Sequence, residues 1–186
     1  MTGVQTCALP IYNHFRPEYL RALRKVCDEN ELLMIVDEVQ TGTGTTGRWW
    51  AYQHHGIEPD VLCFGKRMQV CGILAGARLD EVQSVFHTSS RINSTWGGNL
   101  VDMVRATRYL QVIEAEQLVE NAAAMGDHFV ARLRELQGAF GDLISNVRGR
   151  GLFVAFTLPD GATRNRVIEL CMQDGLLAIG SGPTSV

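Results

Sequence analysis

The sequence lacks the features that mark membrane proteins and nucleic-acid-binding proteins. Its longest apolar runs, such as 32–36 and 152–156, have the length of a β-strand, whereas a membrane-spanning helix needs about 20 apolar residues. The chain has 17 Lys and Arg against 20 Asp and Glu, and it contains no basic block. It therefore carries no electrostatic footprint for nucleic acid, and the sequence predicts neither a membrane nor a nucleic-acid partner.

Cysteines are few and scattered along the chain. The five cysteines, at positions 7, 27, 63, 71 and 171, are odd in number and form no C-x-x-C pair. This pattern indicates neither a disulfide framework nor a structural zinc site, so no metal is predicted. A reducing, cytoplasmic environment fits such cysteines best.

Apolar residues, by contrast, make up 46% of the 186 residues. At this length one domain, or one and a part, can bury a core without metals or disulfides. The two ends of the chain differ from the rest. Residues 1–11 have no signal or transit pattern and look like a translated sequencing adapter, so we interpret them as a non-native scar. A final strand is expected at 176–179, and we expect the chain to be an internal fragment of a longer enzyme.

From residue 12 onward the pattern alternates between helices and strands. Helical spacing predicts helices, and continuous apolar runs of four or five residues predict strands that are buried on both faces of a sheet. The predicted elements of the first half are helix 17–30, strand 32–36, a Gly-rich loop 41–47, a short helix 48–55, strand 61–64 and a hairpin strand 72–79. We predict an α/β fold.

The second half begins with a long helical region. Six apolar residues are spaced by three or four and are expected to share one buried helix face: Leu118, Ala122, Met125, Phe129, Leu133 and Leu136. Two strands from residue 143 onward, a helix over 163–174 and the strand at 176–179 then predict a smaller α+β domain. The predicted domains are therefore 12–141, with the long helix as a connection, and an incomplete 142–186.

Two charged residues follow the predicted strands 32–36 and 61–64. A strand, a crossover and a second parallel strand place both carboxyl ends at the same edge of a sheet. Asp37 and Lys66 should therefore face one cleft. In a low-dielectric cleft the acid needs a cationic partner, such as a protonated pyridine nitrogen, and the lysine amine becomes a nucleophile toward carbonyls. The pair predicts a pyridoxal phosphate site, in which Lys66 holds the aldehyde as a Schiff base.

The segment 37–42, DEVQTG, together with Lys66 and the loop 94–99, STWGGN, resembles the class III (omega) aminotransferases. Within that family, the strings 64–72 and 91–99 are similar to the subfamily that acts on the terminal amine of lysine. The resemblance covers the chain from about residue 12 to its end. It implies the fold type I architecture, here a partial large domain with a mostly parallel sheet and flanking helices, plus an incomplete small domain.

The resemblance also implies roles for individual residues. Lys66 would bind the cofactor and then act as acid and base, and Asp37 would pair with the pyridine nitrogen. Val39 would pack on the ring, and Gln40 would hydrogen-bond its phenolic oxygen. Two further residues come from the loop before the long helical region: Thr95, which would contact the cofactor phosphate of the other subunit of a homodimer, and Asn93, which would approach substrate.

The implied reaction moves the terminal amino group of L-lysine to 2-oxoglutarate. Ornithine, acetylornithine or 4-aminobutyrate remain open as amino donors, because the groups that grip the distal carboxylate fall outside this sequence. A catalytically silent, dimerising fragment is the alternative from a different class. Two residues also have structural interpretations. Glu38 is interpreted as a structural or loop-capping carboxylate rather than a second acid/base, and Thr95 could cap the following helix instead of contacting the cofactor.

Overall fold

The computed structural model describes residues 14–91 and 95–186. It divides into two compact units, one formed by residues 15–122 and the other by residue 14 with residues 123–186. The predicted scar at 1–11 and the candidate residue Asn93 lie outside the described residues. The predicted start of a small domain at residue 142 stays a prediction. Among the described helices, none combines the length and the apolar character needed to cross a bilayer.

The first unit opens with helix α1 (Pro17–Glu29), which has proline at its first turn, where a missing N–H costs nothing. Its apolar side packs Leu20, Leu23 and Cys27 against Met34 and Ile57. The helix ends in a left-handed turn at residue 31, after which the N–H of residue 32 donates to the carbonyl of residue 27 at 2.8 Å. The strand predicted at 32–36 therefore starts later, because its first residues belong to this turn. The observed strand β1 comprises only Ile35–Asp37.

Strands β1, β2 (Val61–Phe64) and β3 (Gly72–Ala75) form one sheet in that order. β1 and β2 are parallel, as the crossover predicts, and β2 and β3 are antiparallel, as the short connection predicts. β3 is shorter than expected because the chain turns into a 3₁₀ helix, Ala77–Glu81. The register that matters for the site places Asp37 opposite Cys63 and Phe64 opposite Gly72.

Helices α2 (Leu100–Ala115) and α3 (Leu118–Ala139) follow. The predicted buried stripe of α3 is correct only in part, since Ala122 and Leu133 are buried whereas four of its members are exposed: Leu118, Met125, Phe129 and Leu136. The buried face runs instead through Val119, Ala122 and Gly126. A side chain at Gly126 would overlap the backbone of Gly151. Gly126 therefore lies close to the backbone of Gly151, and apolar spacing alone does not show this contact.

The second unit contains the antiparallel hairpin β4 (Ser145–Arg150) and β5 (Phe153–Thr157), followed by helix α4 (Gly161–Gln173). Asp160 caps α4 by accepting a hydrogen bond from the N–H of Thr163 at 2.7 Å. The strand predicted at 176–179 is wrong, since these residues have no regular structure. The end of the chain lies beside β5 instead, because Phe156 and Val186 exchange two backbone hydrogen bonds of 3.0 Å.

Candidate active site at the carboxyl ends of two strands

The carboxyl ends of β1 and β2 lie side by side, as the crossover predicts. Asp37 ends β1 opposite Cys63, and Lys66 follows the end of β2 by two residues. Burial, and after it the charge of Asp37, raises the pKa of the Cys63 thiol. The side chains of Asp37 and Lys66 are both exposed in this chain. The low-dielectric environment expected around them is thus not provided by the described residues.

The segment after β1 forms a tight turn over residues 38–42. The N–H of Val39 donates to Oδ1 of Asp37 at 3.0 Å, and the N–H of Gly42 donates to the carbonyl of Glu38 at 2.9 Å. Gly42 allows this turn because a Cβ there would lie 2.5 Å from the ring of Trp50. The turn holds one side of the Asp37 carboxylate toward its own backbone and carries Gln40 at its centre.

Glu38 has the opposite environment to its neighbour Asp37. Its side chain is only 2% exposed. Its carboxylate accepts hydrogen bonds from Oγ1 of Thr41 at 2.5 Å and from the N–H groups of Ala51 at 3.0 Å and Tyr52 at 2.7 Å. The two amides belong to the start of the 3₁₀ helix Ala51–His54. The interpretation of Glu38 as a loop-capping carboxylate is therefore confirmed.

Lys66 occupies an unusual backbone conformation. It begins a 3₁₀ helix, Lys66–Met68, with φ 46°, and Gln69 ends that helix with φ 61°. Left-handed backbone is uncommon for residues other than glycine and is concentrated at functional sites. Lys66 Nζ donates to Oε1 of Gln40, and a guanidinium nitrogen of Arg67 donates to the carbonyl of Gln40. Lys66 and Arg67, which follow β2 after Gly65, thus both bind the turn that follows β1.

Val39 lies at the same place. A Cβ added to the buried Gly65 would meet Sγ of Cys71 at 3.0 Å and Cγ1 of Val39 at 3.5 Å. The Val39 side chain therefore lies against the residue that precedes Lys66. The structure accordingly brings together four of the six predicted site residues: Asp37, Val39, Gln40 and Lys66.

The two remaining candidates come from the loop before α2. Thr95 is exposed, and Asn93 is outside the described residues. The helix cap is Asn99, whose side chain accepts a hydrogen bond from the N–H of Val101 at 2.9 Å. The capping role considered for Thr95 is therefore wrong. Its contact with a cofactor phosphate stays a prediction.

At the amino ends of β1 and β2 lies a buried acid, Asp60, that the sequence does not predict as a charged cluster. Asp60 precedes β2, and its Oδ2 accepts from the N–H of Met34 at 2.6 Å and from the guanidinium groups of Arg24 at 2.8 Å and Arg78 at 3.5 Å. Burial alone would raise the pKa of Asp60, but these hydrogen bonds and charges lower it below its ordinary value. We call this group the Asp60 cluster. No local sequence pattern around Asp60 indicates the distant cations.

A cavity of about 720 Å³ lies elsewhere in the same unit, between residues 47–58 and Val119 at the start of α3. None of the five predicted site residues that the structure describes lines it. We therefore do not assign this cavity as the candidate active site. The candidate active site is the exposed edge formed by Asp37, Val39, Gln40 and Lys66.

Comparisons with known proteins show what the chain as a whole is similar to. The family model described as aminotransferase class III matches residues 12–186. L-lysine-epsilon aminotransferase of Mycobacterium tuberculosis is 51% identical over 174 residues, which are 93% of this chain and 39% of that protein. Acetylornithine aminotransferase of Gloeobacter violaceus is 38% identical over 167 residues, which are 89% of this chain and 41% of that protein.

A solved structure is similar over the same region. Lysine aminotransferase from M. tuberculosis, in its internal aldimine form, matches with a TM-score of 0.89 and 51% identity, covering 93% of this chain and 40% of that one. The chain thus spans about two fifths of the length of the proteins it matches.

Proposed function

This chain belongs to the class III aminotransferase family, and we propose that it forms the lysine-bearing part of a pyridoxal-phosphate-dependent aminotransferase. The single observation that carries the proposal is the meeting of Lys66, Gln40 and Asp37 at the carboxyl ends of two parallel strands. Ligand sites of open α/β sheets lie at such ends. The proposal includes a homodimer and the cytoplasmic location expected from the cysteine pattern.

The side chains at this edge have the hydrogen-bonding and apolar groups that pyridoxal phosphate requires. Asp37 accepts from Val39 with one oxygen, and its exposed carboxylate can accept from a protonated pyridine nitrogen with the other. Gln40 uses its amide oxygen for Lys66, so its NH₂ group remains suited to a phenolic oxygen. Val39 supplies an apolar surface beside Gly65. Together these groups match the polar and apolar parts of the ring.

Pyridoxal phosphate, when bound, supplies an electron-withdrawing ring that stabilises a carbanion on the substrate. Lys66 would then have two roles. Its amine would hold the cofactor through the aldehyde until the substrate amine replaces it there. Its free Nζ would then act as base and acid, holding and moving the proton of the substrate carbon that bears the amine. Asp37 would keep the ring nitrogen protonated, because its negative charge favours the cationic form.

For the amino donor we propose the terminal amine of L-lysine, with 2-oxoglutarate as acceptor and with 2-aminoadipate semialdehyde and glutamate as products. The support is the difference in identity between the lysine-epsilon aminotransferase, at 51%, and the acetylornithine aminotransferase, at 38%. The second relative favours acetylornithine as the alternative donor. Ornithine and 4-aminobutyrate complete the set of donors to be compared.

The test uses the full-length protein that carries this chain. Purified protein is mixed with pyridoxal phosphate, and the visible absorbance of the protein-bound cofactor is recorded for the wild type and for Lys66→Ala. We expect the band in the wild type and its loss in the variant. Glutamate formation is then followed with lysine, ornithine, acetylornithine and 4-aminobutyrate. A wild type without the band would refute the proposed cofactor chemistry, and turnover with another donor but not lysine would refute the substrate.

A further inference from the structure

We propose that Glu38 is a positioning residue: it fixes Gln40 and, through Gln40, the amine of Lys66. The inference rests on the proposed function and deepens it by one residue. Glu38 makes no hydrogen bond to Lys66, so it is not a catalytic residue. Its role follows from three sets of hydrogen bonds that converge on the turn 38–42.

The first set closes the loop that connects β1 to the 3₁₀ helix Ala51–His54. The carboxylate of Glu38 accepts from Thr41 three residues ahead and from the backbone N–H groups of Ala51 and Tyr52. One buried side chain thereby holds both ends of the segment 42–50. A buried carboxylate with three donors is costly to disturb, because any donor left without an acceptor in the interior loses its solvation.

The second set ties the turn to the sheet. The N–H of Glu38 donates to the carbonyl of Cys63 at 2.9 Å, and the carbonyl of Glu38 accepts from the N–H of Gly42 at 2.9 Å. With the side-chain bonds, Glu38 is held through its N–H, its carbonyl and its carboxylate. Gln40 lies at the centre of the turn that these bonds close, so its backbone has little freedom to move.

The third set comes from the end of β2. Lys66 Nζ donates to the side-chain oxygen of Gln40, and Arg67 donates to its backbone carbonyl. The amine that is to react is thus held on a residue whose own position depends on Glu38. A displacement of about 1 Å at a reacting group can cost about a hundredfold in rate. Loss of the Glu38 contacts should therefore reach Lys66 through Gln40.

The experiment compares Glu38→Gln with Glu58→Gln in the full-length enzyme loaded with pyridoxal phosphate. A glutamine at position 38 turns an amide NH₂ either toward the N–H of Tyr52 or toward Thr41 and the N–H of Ala51, which share Oε2. Glu58 is exposed, and its side chain makes no hydrogen bond with the described residues. We expect Glu38→Gln to lower kcat by about ten- to a hundredfold with KM changed by less than about twofold. Glu58→Gln should match the wild type.

A second readout is independent of turnover. In the unloaded protein, hydrogen exchange at the amide of Ala51 or of Tyr52 should be faster in Glu38→Gln than in the wild type, because glutamine has one acceptor oxygen where the carboxylate has two. Thr41→Val removes one donor to Glu38 and is the second variant if Glu38→Gln does not fold. It should lower kcat by about three- to tenfold, the effect of one hydrogen bond.

A double-mutant cycle separates positioning from general destabilisation. If Glu38 acts through Gln40, then Glu38→Gln, or Thr41→Val, should lower kcat less in a Gln40→Ala background than in the wild type. Full additivity in a folded protein, or an unchanged kcat in a folded Glu38→Gln, would overturn the inference while leaving the proposed function standing. A wild type that forms no cofactor band would overturn both, and that result is visible before any variant is made.

Discussion

The two ends of the parallel pair β1–β2 hold the same kinds of charged residue in opposite environments. At the amino ends, Asp60 is buried and accepts hydrogen bonds from a backbone N–H and two arginines. At the carboxyl ends, Asp37 is exposed and accepts one hydrogen bond, from Val39. The charge of Asp60 is thus satisfied within the chain, whereas that of Asp37 remains available.

This difference indicates that the amino ends of the two strands contribute to stability and the carboxyl ends to ligand binding. A buried acid that is paired with a backbone N–H and two arginines has its charge balanced by the fold itself. An exposed acid and an exposed lysine contribute little to stability and can bind a ligand that supplies the missing partner. Lys66 also has left-handed backbone, a conformation that costs stability for residues other than glycine. Substitutions at the two ends should therefore have separable effects, on folding at one end and on chemistry at the other.

The largest effect is expected for Lys66→Arg. Arginine keeps the positive charge and hydrogen-bond donors for Gln40, but its guanidinium is not deprotonated near neutral pH and cannot act as the amine does. Turnover should fall on the order of 10⁴-fold, while the free energy of unfolding changes by less than about 0.5 kcal/mol. Steady-state kinetics and urea denaturation of the full-length enzyme measure the two quantities. A large loss of stability would contradict the division between the ends.

The opposite result is expected for Asp60→Asn. The side chains of Asp60 and Arg24 are only 8% and 14% exposed, so loss of the negative charge leaves a largely buried cation with a weakened partner. Stability should fall by about 3 kcal/mol, with kcat of the folded enzyme unchanged. Asp28→Asn is the matched control, because Asp28 pairs with the same arginine but is exposed. It should cost at most about 0.5 kcal/mol, and equal effects of the two variants would argue against the Asp60 cluster.

The Asp60 cluster also predicts how stability depends on pH. The pKa of Asp60 is lowered on folding from its ordinary value of 3.8. A lowered folded-state pKa stabilises the native state above the unfolded pKa, and this contribution disappears as pH falls through the folded pKa. The difference in unfolding free energy between the wild type and Asp60→Asn should therefore be constant from about pH 5 to 7 and shrink below about pH 4. A difference that stays constant down to pH 2.5 would refute the lowered pKa.

The sequence predicts the parts of this arrangement that depend on local pattern and on chirality. Strand 61–64 is found at its predicted bounds because its apolar run is bordered by Pro59–Asp60 and by Gly65–Lys66. The placement of Asp37 and Lys66 at one edge of the sheet follows from the parallel pairing of β1 and β2. Glu38 is predicted as structural, although its partners at residues 51 and 52 are not.

The parts that fail depend on long-range packing. The Asp60 cluster joins residues up to 36 positions apart, and no local pattern contains such a pairing. The buried face of α3 includes Gly126, which lies close to the backbone of Gly151, whereas Leu118, Phe129 and Leu136 are exposed. The apolar run 176–179 has strand composition but no strand beside it among the described residues. β-propensity reflects packing against neighbours rather than an intrinsic backbone preference.

The smallest effects are expected in the loop that leads into α2, where one residue should affect stability and another cofactor binding. Asn99 caps the helix, so Asn99→Ala should cost about 1 kcal/mol of stability and leave cofactor binding unchanged. Thr95 is exposed and does not cap α2, so Thr95→Ala should not change stability. If Thr95 contacts the phosphate across the dimer, the dissociation constant for pyridoxal phosphate should rise about tenfold, the effect of one hydrogen bond to a charged group. Equilibrium dialysis against the cofactor and urea denaturation measure both, and cofactor affinity unchanged in Thr95→Ala would remove Thr95 from the site.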